Sequence, residues 1–302
     1  MSADLRFGDC IEGMANMSPE TVHLTVSSPP FGALFVYSGK PEDVGNNADG
    51  VDMLASPFGL HLRFWAEQLF RVHRPGTIAA LHIQQLIAFL NQHGFMGRRD
   101  FRGALVDVMS DAGWDWTGEI AISKNPQSVA QRQKLHSLLF VTGKRDARRL
   151  APVMNDYVMI FRKPGEGEPV PCLYDRETNP GGWVTTEEWI RDAHGVWSDI
   201  REMDVLEGWR SGRDDGDEKH VCPLQLTVIR RMVRLYTNPG DTVLDPFMGI
   251  GSTAYVAVQE GRKAIGFELK ESYHALSLRY VARASSDRVD GQVELFPTVP
   301  AA

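Results

Sequence analysis

The stretch from Asp241 to Ala254, DTVLDPFMGIGSTA in one-letter code, constrains this chain more than any other. A short apolar run leads into two glycines, Gly249 and Gly251, and then into helix-forming residues, the pattern of a parallel strand, a tight turn and a covering helix. Glycines at such a turn let the backbone bend sharply and approach a ligand at the N-terminus of the helix that follows, and Ser252, next in sequence, is a candidate cofactor contact. Glu268 follows Gly251 by seventeen residues, at the end of the next apolar run, placed to accept hydrogen bonds from a ribose. Only about fifty residues follow Asp245, enough for one more strand and helix, so the sheet begun here has to be completed by chain from far upstream.

The rest of the sequence supplies those strands. Runs at residues 23–27, 77–81, 119–123, 157–162, 242–244 and 264–268 are rich in strand formers and alternate with helical patterns. This alternation predicts an α/β fold with a mainly parallel sheet covered by helices. Leu60, Phe64 and residues 66–70 form one predicted apolar helix stripe ending at Arg74, Pro75 and Gly76. Leu226, Ile229, Val233 and Tyr236 form another, ending at Asn238, Pro239 and Gly240, and both stripes are expected to pack on the sheet. Residues 39–52, polar with three glycines and four acids, read as a long surface loop of the lid type. Residues 163–218, where Trp183, Trp189, Trp197 and Trp209 stand among prolines, glycines and charges, read as a small inserted subdomain with the tryptophans as its core.

Two motifs carry chemistry. At the tip of the strand before Gly249, the Asp245 carboxylate would repel a pyrophosphate but attract the ammonium of an amino-acid arm, so a nucleoside with a cationic arm suits the turn better than a dinucleotide. Far upstream the strand at 23–27 runs into Ser28, Pro29, Pro30 and Phe31. Consecutive prolines hold this strand end rigid and extended, with acceptors turned outward. A serine hydroxyl and a proline carbonyl can receive the two hydrogens of an exocyclic NH2, while Phe31 can stack on the ring that bears it.

On these residues the chain resembles the DNA amino-methyltransferases that use S-adenosylmethionine. Ser28-Pro29-Pro30-Phe31 is similar to their catalytic tetrapeptide, and the segment of Asp245, Pro246, Phe247, Gly249 and Gly251 is similar to their cofactor loop. The catalytic motif precedes the cofactor motif by about two hundred residues, the order of the circularly permuted β class. Asp9 and Cys10 resemble a segment that contacts the cofactor adenine; Lys219 and His220, with Pro223, resemble one that borders the methionine end. The resemblance implies a Rossmann-like, seven-stranded methyltransferase sheet in which the strand ending at Phe7 lies beside residues 264–268. Residues 1–162 and 219–284 would form the catalytic and cofactor-binding domain, residues 163–218 the target-recognition insert, and residues 285–302 a flexible tail. It further implies S-adenosylmethionine as cofactor and DNA as partner, the base flipped out or on a single strand. A leading Ser with Phe leans toward cytosine N4, with adenine N6 as the alternative. Arg201, Arg210 and Arg213 of the insert could then read base edges.

Composition limits the remaining choices. With 32 basic and 39 acidic residues the net charge is −7, so contact with nucleic acid has to be local. Lys124, Arg132, Lys134, Lys144, Arg145, Arg148 and Arg149, against the lone acid Asp146, are expected to form that phosphate-contacting surface. Three widely spaced cysteines, Cys10, Cys172 and Cys222, predict free thiols and no metal site. No apolar run could span a membrane and the first nine residues carry no leader pattern, so a cytoplasmic protein is expected. The tail residues Gln292 to Phe296 resemble a peptide that docks on the bacterial sliding clamp, and a homodimer is left open. Competing readings are amino methylation of RNA or of protein glutamine, disfavoured by the permuted order, a nicotinamide oxidoreductase, and a DNA-binding module that has lost its chemistry, disfavoured by intact Ser28, Phe31, Asp245 and Glu268.

Overall fold

The computed structural model describes residues 3–32, 41–47, 49, 52–88, 90–133, 136–208 and 223–291. In chain order the elements are β1 (Ala3–Phe7), α1 (Cys10–Ala15), β2 (Val22–Ser27), α2 (Pro57–Val72), β3 (His73–Gln84), β4 (Leu86–Ala88), α3 (Leu90–His93), β5 (Gly97–Arg99), α4 (Phe101–Asp111), β6 (Asp115–Ile122), α5 (Pro126–Gln133), α6 (Phe140–Arg145), β7 (Asp156–Arg162), α7 (Thr186–Asp192), β8 (Val196–Trp197), α8 (Leu226–Tyr236), β9 (Thr242–Asp245), α9 (Ser252–Gln259), β10 (Lys263–Glu268) and α10 (Glu271–Gly291). One sheet runs in the order β1-β10-β9-β2-β3-β7-β6-β8. Its first five strands are mutually parallel and β7 is antiparallel to both neighbours, so the expected mainly parallel α/β sheet is present. Seven strands make that sheet, and the two-residue β8 adds an eighth along β6.

The late strands β9 and β10 are inserted between the early strands β1 and β2. Phe7 lies opposite Glu268, and Thr25 opposite Leu244, so the missing strand sits where the permuted order requires it. β2 is buried along nearly its whole length, as a central parallel strand covered on both faces has to be. One face carries α1, α2 and α4 over a core that includes Met14, Trp65, Leu69, Phe101 and Phe161; the other carries α8 and α9 over Leu24, Ile229, Val233 and Val256.

Two expectations about packing need correction. The buried face of α2 is Phe58, Leu62, Trp65, Ala66, Leu69 and Val72, whereas Leu60 and Phe64 are 51% and 49% exposed. The apolar positions of this helix exceed one stripe, and the sheet takes the side that carries Trp65. The tryptophans of residues 163–208, moreover, share no core of their own. Trp197 is buried in the main core under the Arg231 guanidinium, Trp183 donates from Nε1 to the Arg234 carbonyl at 2.7 Å, and Trp189 stays exposed. Both covered tryptophans of this segment, Trp183 and Trp197, dock on α8. Trp209, Arg210 and Arg213 lie outside the described residues.

Candidate active site

The turn after β9 is held open by glycine. Gly249 has φ +55° and Gly251 φ +88°, conformations that L side chains rarely adopt. A Cβ on Gly251 would sit 2.7 Å from Ser277 Cβ, so this residue lets α9 and α10 pack closely, while a Cβ on Gly249 would enter open space. Asp245 ends β9 buried, with Oδ1 accepting from Ser27 Oγ at 2.6 Å and from the Phe247 N–H at 3.1 Å. Burial pushes its carboxyl up to about 6, against the hydrogen bonds from Ser27, Thr253 and Phe247. Glu268 ends β10 and accepts the Gly249 N–H at 2.8 Å and the Lys270 N–H at 2.8 Å. Burial drives it up to about 7, outweighing those two hydrogen bonds; the nearby Asp245 and Asp43 charges add to the rise.

These groups line a solvent-open cleft of about 1100 Å³ at the carboxyl ends of β1, β10, β9 and β2, the edge at which open α/β sheets take ligands. Asp9, Cys10, Asp245, Pro246, Phe247, Gly249, Ser252 and Glu268 border it, and so do Ser28 and Pro30. Asp9 caps α1 through the Glu12 N–H at 2.7 Å, and Cys10 behind it is buried, its thiol pushed well up by burial and by the Asp9 charge. Cys10 and Cys172 are both free thiols. Gly251 belongs to the helix packing just described and is absent from the cleft wall. The Ser252 hydroxyl, at the first position of α9, is buried without a hydrogen-bond partner among the described residues.

The segment Ser28-Pro29-Pro30-Phe31 meets this wall from the other side, through Ser28 and Pro30. Ser27, immediately before it, makes the bond to Asp245 that ties segments 218 residues apart. Pro29 is buried and does not line the cleft; Phe31 packs with ring centroids 6.0 Å from His82 and 6.3 Å from Phe101. Ser28 Oγ lies 3.1 Å from His82 Nδ1, and His82 Nε2 lies 3.2 Å from Asp156 Oδ2, which also pairs with Lys124 Nζ at 2.5 Å. His82 and Asp156 were not legible as site residues, and Lys124 was expected on a phosphate-contacting surface rather than beside Asp156. The available signal was a polar residue near the carboxyl end of the apolar strand β3, with an acid opening β7. Glu42, Asp43 and Val44, from the loop at 39–52, also line the cleft, as do Pro223, Leu224 and Tyr273. Lys219 and His220 lie outside the described residues, as do Cys222 and the tail segment 292–302.

A protein-family profile described as DNA methylase matches residues 22–279. The chain belongs to this DNA methylase family. The methylase is 39% identical to the DNA adenine methyltransferase YhdJ of Escherichia coli K12 over 283 residues, which cover 92% of this chain and 82% of YhdJ. It matches shorter parts of other relatives: the shared region spans 30% of the type II methyltransferase M.BglI of Bacillus subtilis, at 34% identity. Its fold superimposes on TTHA0409 of Thermus thermophilus, solved in complex with S-adenosyl-L-methionine, with a TM-score of 0.66 at 21% identity over 94% of this chain and 96% of the other. The cytosine-N4-specific PvuII DNA methyltransferase shares the fold with a TM-score of 0.60 at 18% identity, over 97% and 94% of the two chains.

One member of the expected basic surface is turned inward. Lys124 is drawn into the pair with Asp156, and the side chains of Arg132 and Lys134 lie outside the described residues. Lys144, Arg145, Arg148 and Arg149 remain exposed on and after α6, with Arg148 and Arg149 flanking Asp146. Among the described residues no helix is long and apolar enough to cross a membrane.

Proposed function

We propose that this methylase transfers a methyl group from S-adenosylmethionine to an exocyclic amine of a DNA base. The observation that carries the reading is the single cleft bordered by Ser28 and Pro30 on one side and by Asp245, Gly249 and Glu268 on the other. The residues fit the cofactor. Five acids line the cleft, which favours a ligand carrying sulfonium and ammonium charge over a pyrophosphate, and both carboxylates with raised titration gain from a cation. The unpartnered Ser252 hydroxyl and the open space over Gly249 offer a donor and room at a helix N-terminus, suited to the carboxylate of the amino-acid arm. Glu268 retains acceptor capacity beyond its two backbone bonds for a ribose.

When bound, the cofactor supplies an electrophilic methyl on sulfur. The chain has to present a nucleophile, and a ring-conjugated amine is a poor one because its lone pair is delocalised. Ser28 Oγ, which borders the cleft, accepts an amine hydrogen, draws the nitrogen toward tetrahedral geometry and meets its developing positive charge, while alignment in the cleft supplies the rest; the Pro29 carbonyl, expected to share this role, is not on the cleft wall. Extrusion of the target base, or action on a single strand, gives the amine access.

Ser28 leading the tetrapeptide, with Phe31, favours cytosine N4. The likeness to YhdJ favours a second reading, adenine N6. Radiolabelled S-adenosylmethionine incubated with amplified, modification-free genomic DNA, followed by nucleoside mass spectrometry, decides: N4-methylcytosine supports the first reading, N6-methyladenine the second, and no labelled base refutes both. A melting temperature raised by S-adenosylhomocysteine and not by NAD separates this function from an oxidoreductase.

A further inference from the structure

Beyond the cleft wall the strongest unassigned feature is the chain of contacts that starts at Ser28 and runs inward through His82 and Asp156 to Lys124. His82 and Asp156 are buried, and they come from adjacent strands, β3 and β7. Salt bridges are found all over protein surfaces, but this one is enclosed and ends on a cleft-lining hydroxyl. A buried, fully directed network of this kind fixes the orientation of each member.

The directions follow from what each group can do. A carboxylate only accepts, so the His82 nitrogen facing Asp156 Oδ2, Nε2, carries the hydrogen. Neutral imidazole then has its lone pair on Nδ1, and the Ser28 hydroxyl has to donate to it. With its hydrogen turned inward, Ser28 offers only lone pairs outward. Asp156 is held below the usual carboxylate range: burial pushes its carboxyl up, while the hydrogen bonds from His82 and Lys124 and the Lys124 charge pull it down.

We propose that His82, held in one tautomer by Asp156, is a positioning residue that locks the Ser28 hydroxyl as a pure hydrogen-bond acceptor toward the target amine. The inference rests on the reading of Ser28 given above and adds to it the origin of amine selectivity. An unlocked hydroxyl can turn its hydrogen toward the cleft and would then oppose an amine donor and welcome a carbonyl. The groups facing His82 are Asp156 from β7 and, from the loop after β2, the uncharged Ser28 and Phe31; Lys124, after β6, reaches it through Asp156.

Two substitutions separate this role from a structural one. His82→Leu removes the acceptor. His82→Asn places an amide oxygen near the position of Nδ1 and cannot take up a proton. The measurement is the single-turnover rate of methyl transfer from saturating radiolabelled S-adenosylmethionine to amplified, modification-free genomic DNA at pH 8, with S-adenosylhomocysteine affinity by calorimetry for each variant. His82→Leu should be slower by at least tenfold, with cofactor affinity within twofold of wild type. His82→Asn, which restores the acceptor, should stay within about threefold of wild type. A His82→Leu rate equal to wild type overturns the inference, and so does a His82→Asn variant as slow as His82→Leu. If His82→Leu no longer binds S-adenosylhomocysteine, the rate of His82→Asn decides alone. Wild-type protein that labels no DNA instead refutes the methyltransferase reading itself.

Discussion

At the scale of single residues, the cleft holds carboxylates that the empty protein would be more stable without. Asp245 and Glu268 titrate in the folded chain near 6 and 7, above their unfolded values. A raised folded pKa means that the stabilising contribution is complete below about pH 4 and is lost as the pH rises toward 6 for Asp245 and 7 for Glu268. Asp245→Asn should therefore reduce this loss, by on the order of 2 kcal/mol between pH 4 and pH 7.5, in urea unfolding without cofactor. The same substitution should weaken S-adenosylmethionine at least tenfold by calorimetry at pH 7.5, since it removes the anion. In the wild type, cofactor affinity should rise between pH 5.5 and 7.5 as these acids ionise; affinity independent of pH would deny them contact with a cationic ligand. The motif residues themselves were legible in the sequence because turn chemistry is local: two glycines after a strand, two prolines after another. His82, Asp156 and Ser27 were not, since each matters only through a partner brought up by the sheet from 54, 74 or 218 residues away.

At the scale of elements, the glycine turn serves the packing of α9 against α10 as much as it serves a ligand. Gly251→Ala should destabilise the protein by about 1–3 kcal/mol in denaturant unfolding, because its Cβ meets Ser277 and its φ is positive. Stability equal to wild type would mean that α10 shifts freely. On and after α6 the exposed Arg148 and Arg149 belong to a cluster whose one acid, Asp146, is already shared between them. Charge reversal of both arginines should weaken DNA binding and flatten its dependence on salt, each lost phosphate contact lowering the slope by about one. Unchanged binding and slope would place the phosphate path elsewhere. The elements themselves were readable where periodicity was long, as in α8 and β7. α2 misled because apolar residues on two of its sides could not be ranked without knowing which side met the sheet. The tryptophans of residues 163–208 misled because a cluster in sequence need not be a cluster in space.

At the scale of the whole molecule, the order of strands makes the two ends of the sequence interdependent. β9 and β10 fill the gap between β1 and β2, so half of the cleft is built by late chain on an early scaffold. A chain truncated after residue 208 would leave β2 with an open, apolar edge and should aggregate or unfold, whereas one truncated after residue 291 should keep its cofactor affinity. The permuted order was legible because the Pro-Pro motif stands about two hundred residues before the glycine turn. Which base the cleft accepts was not legible, because that depends on shape across parts that are far apart in sequence. In the proposed reaction Ser28 holds the amine while the opposite wall holds the cofactor. This division is tested most directly by comparing wild type with Ser28→Ala in methyl transfer to modification-free genomic DNA, alongside S-adenosylhomocysteine affinity by calorimetry. Ser28→Ala should lose at least tenfold in transfer with affinity within twofold; equal transfer by the two proteins, or a parallel loss of cofactor affinity, would remove Ser28 from the transfer step.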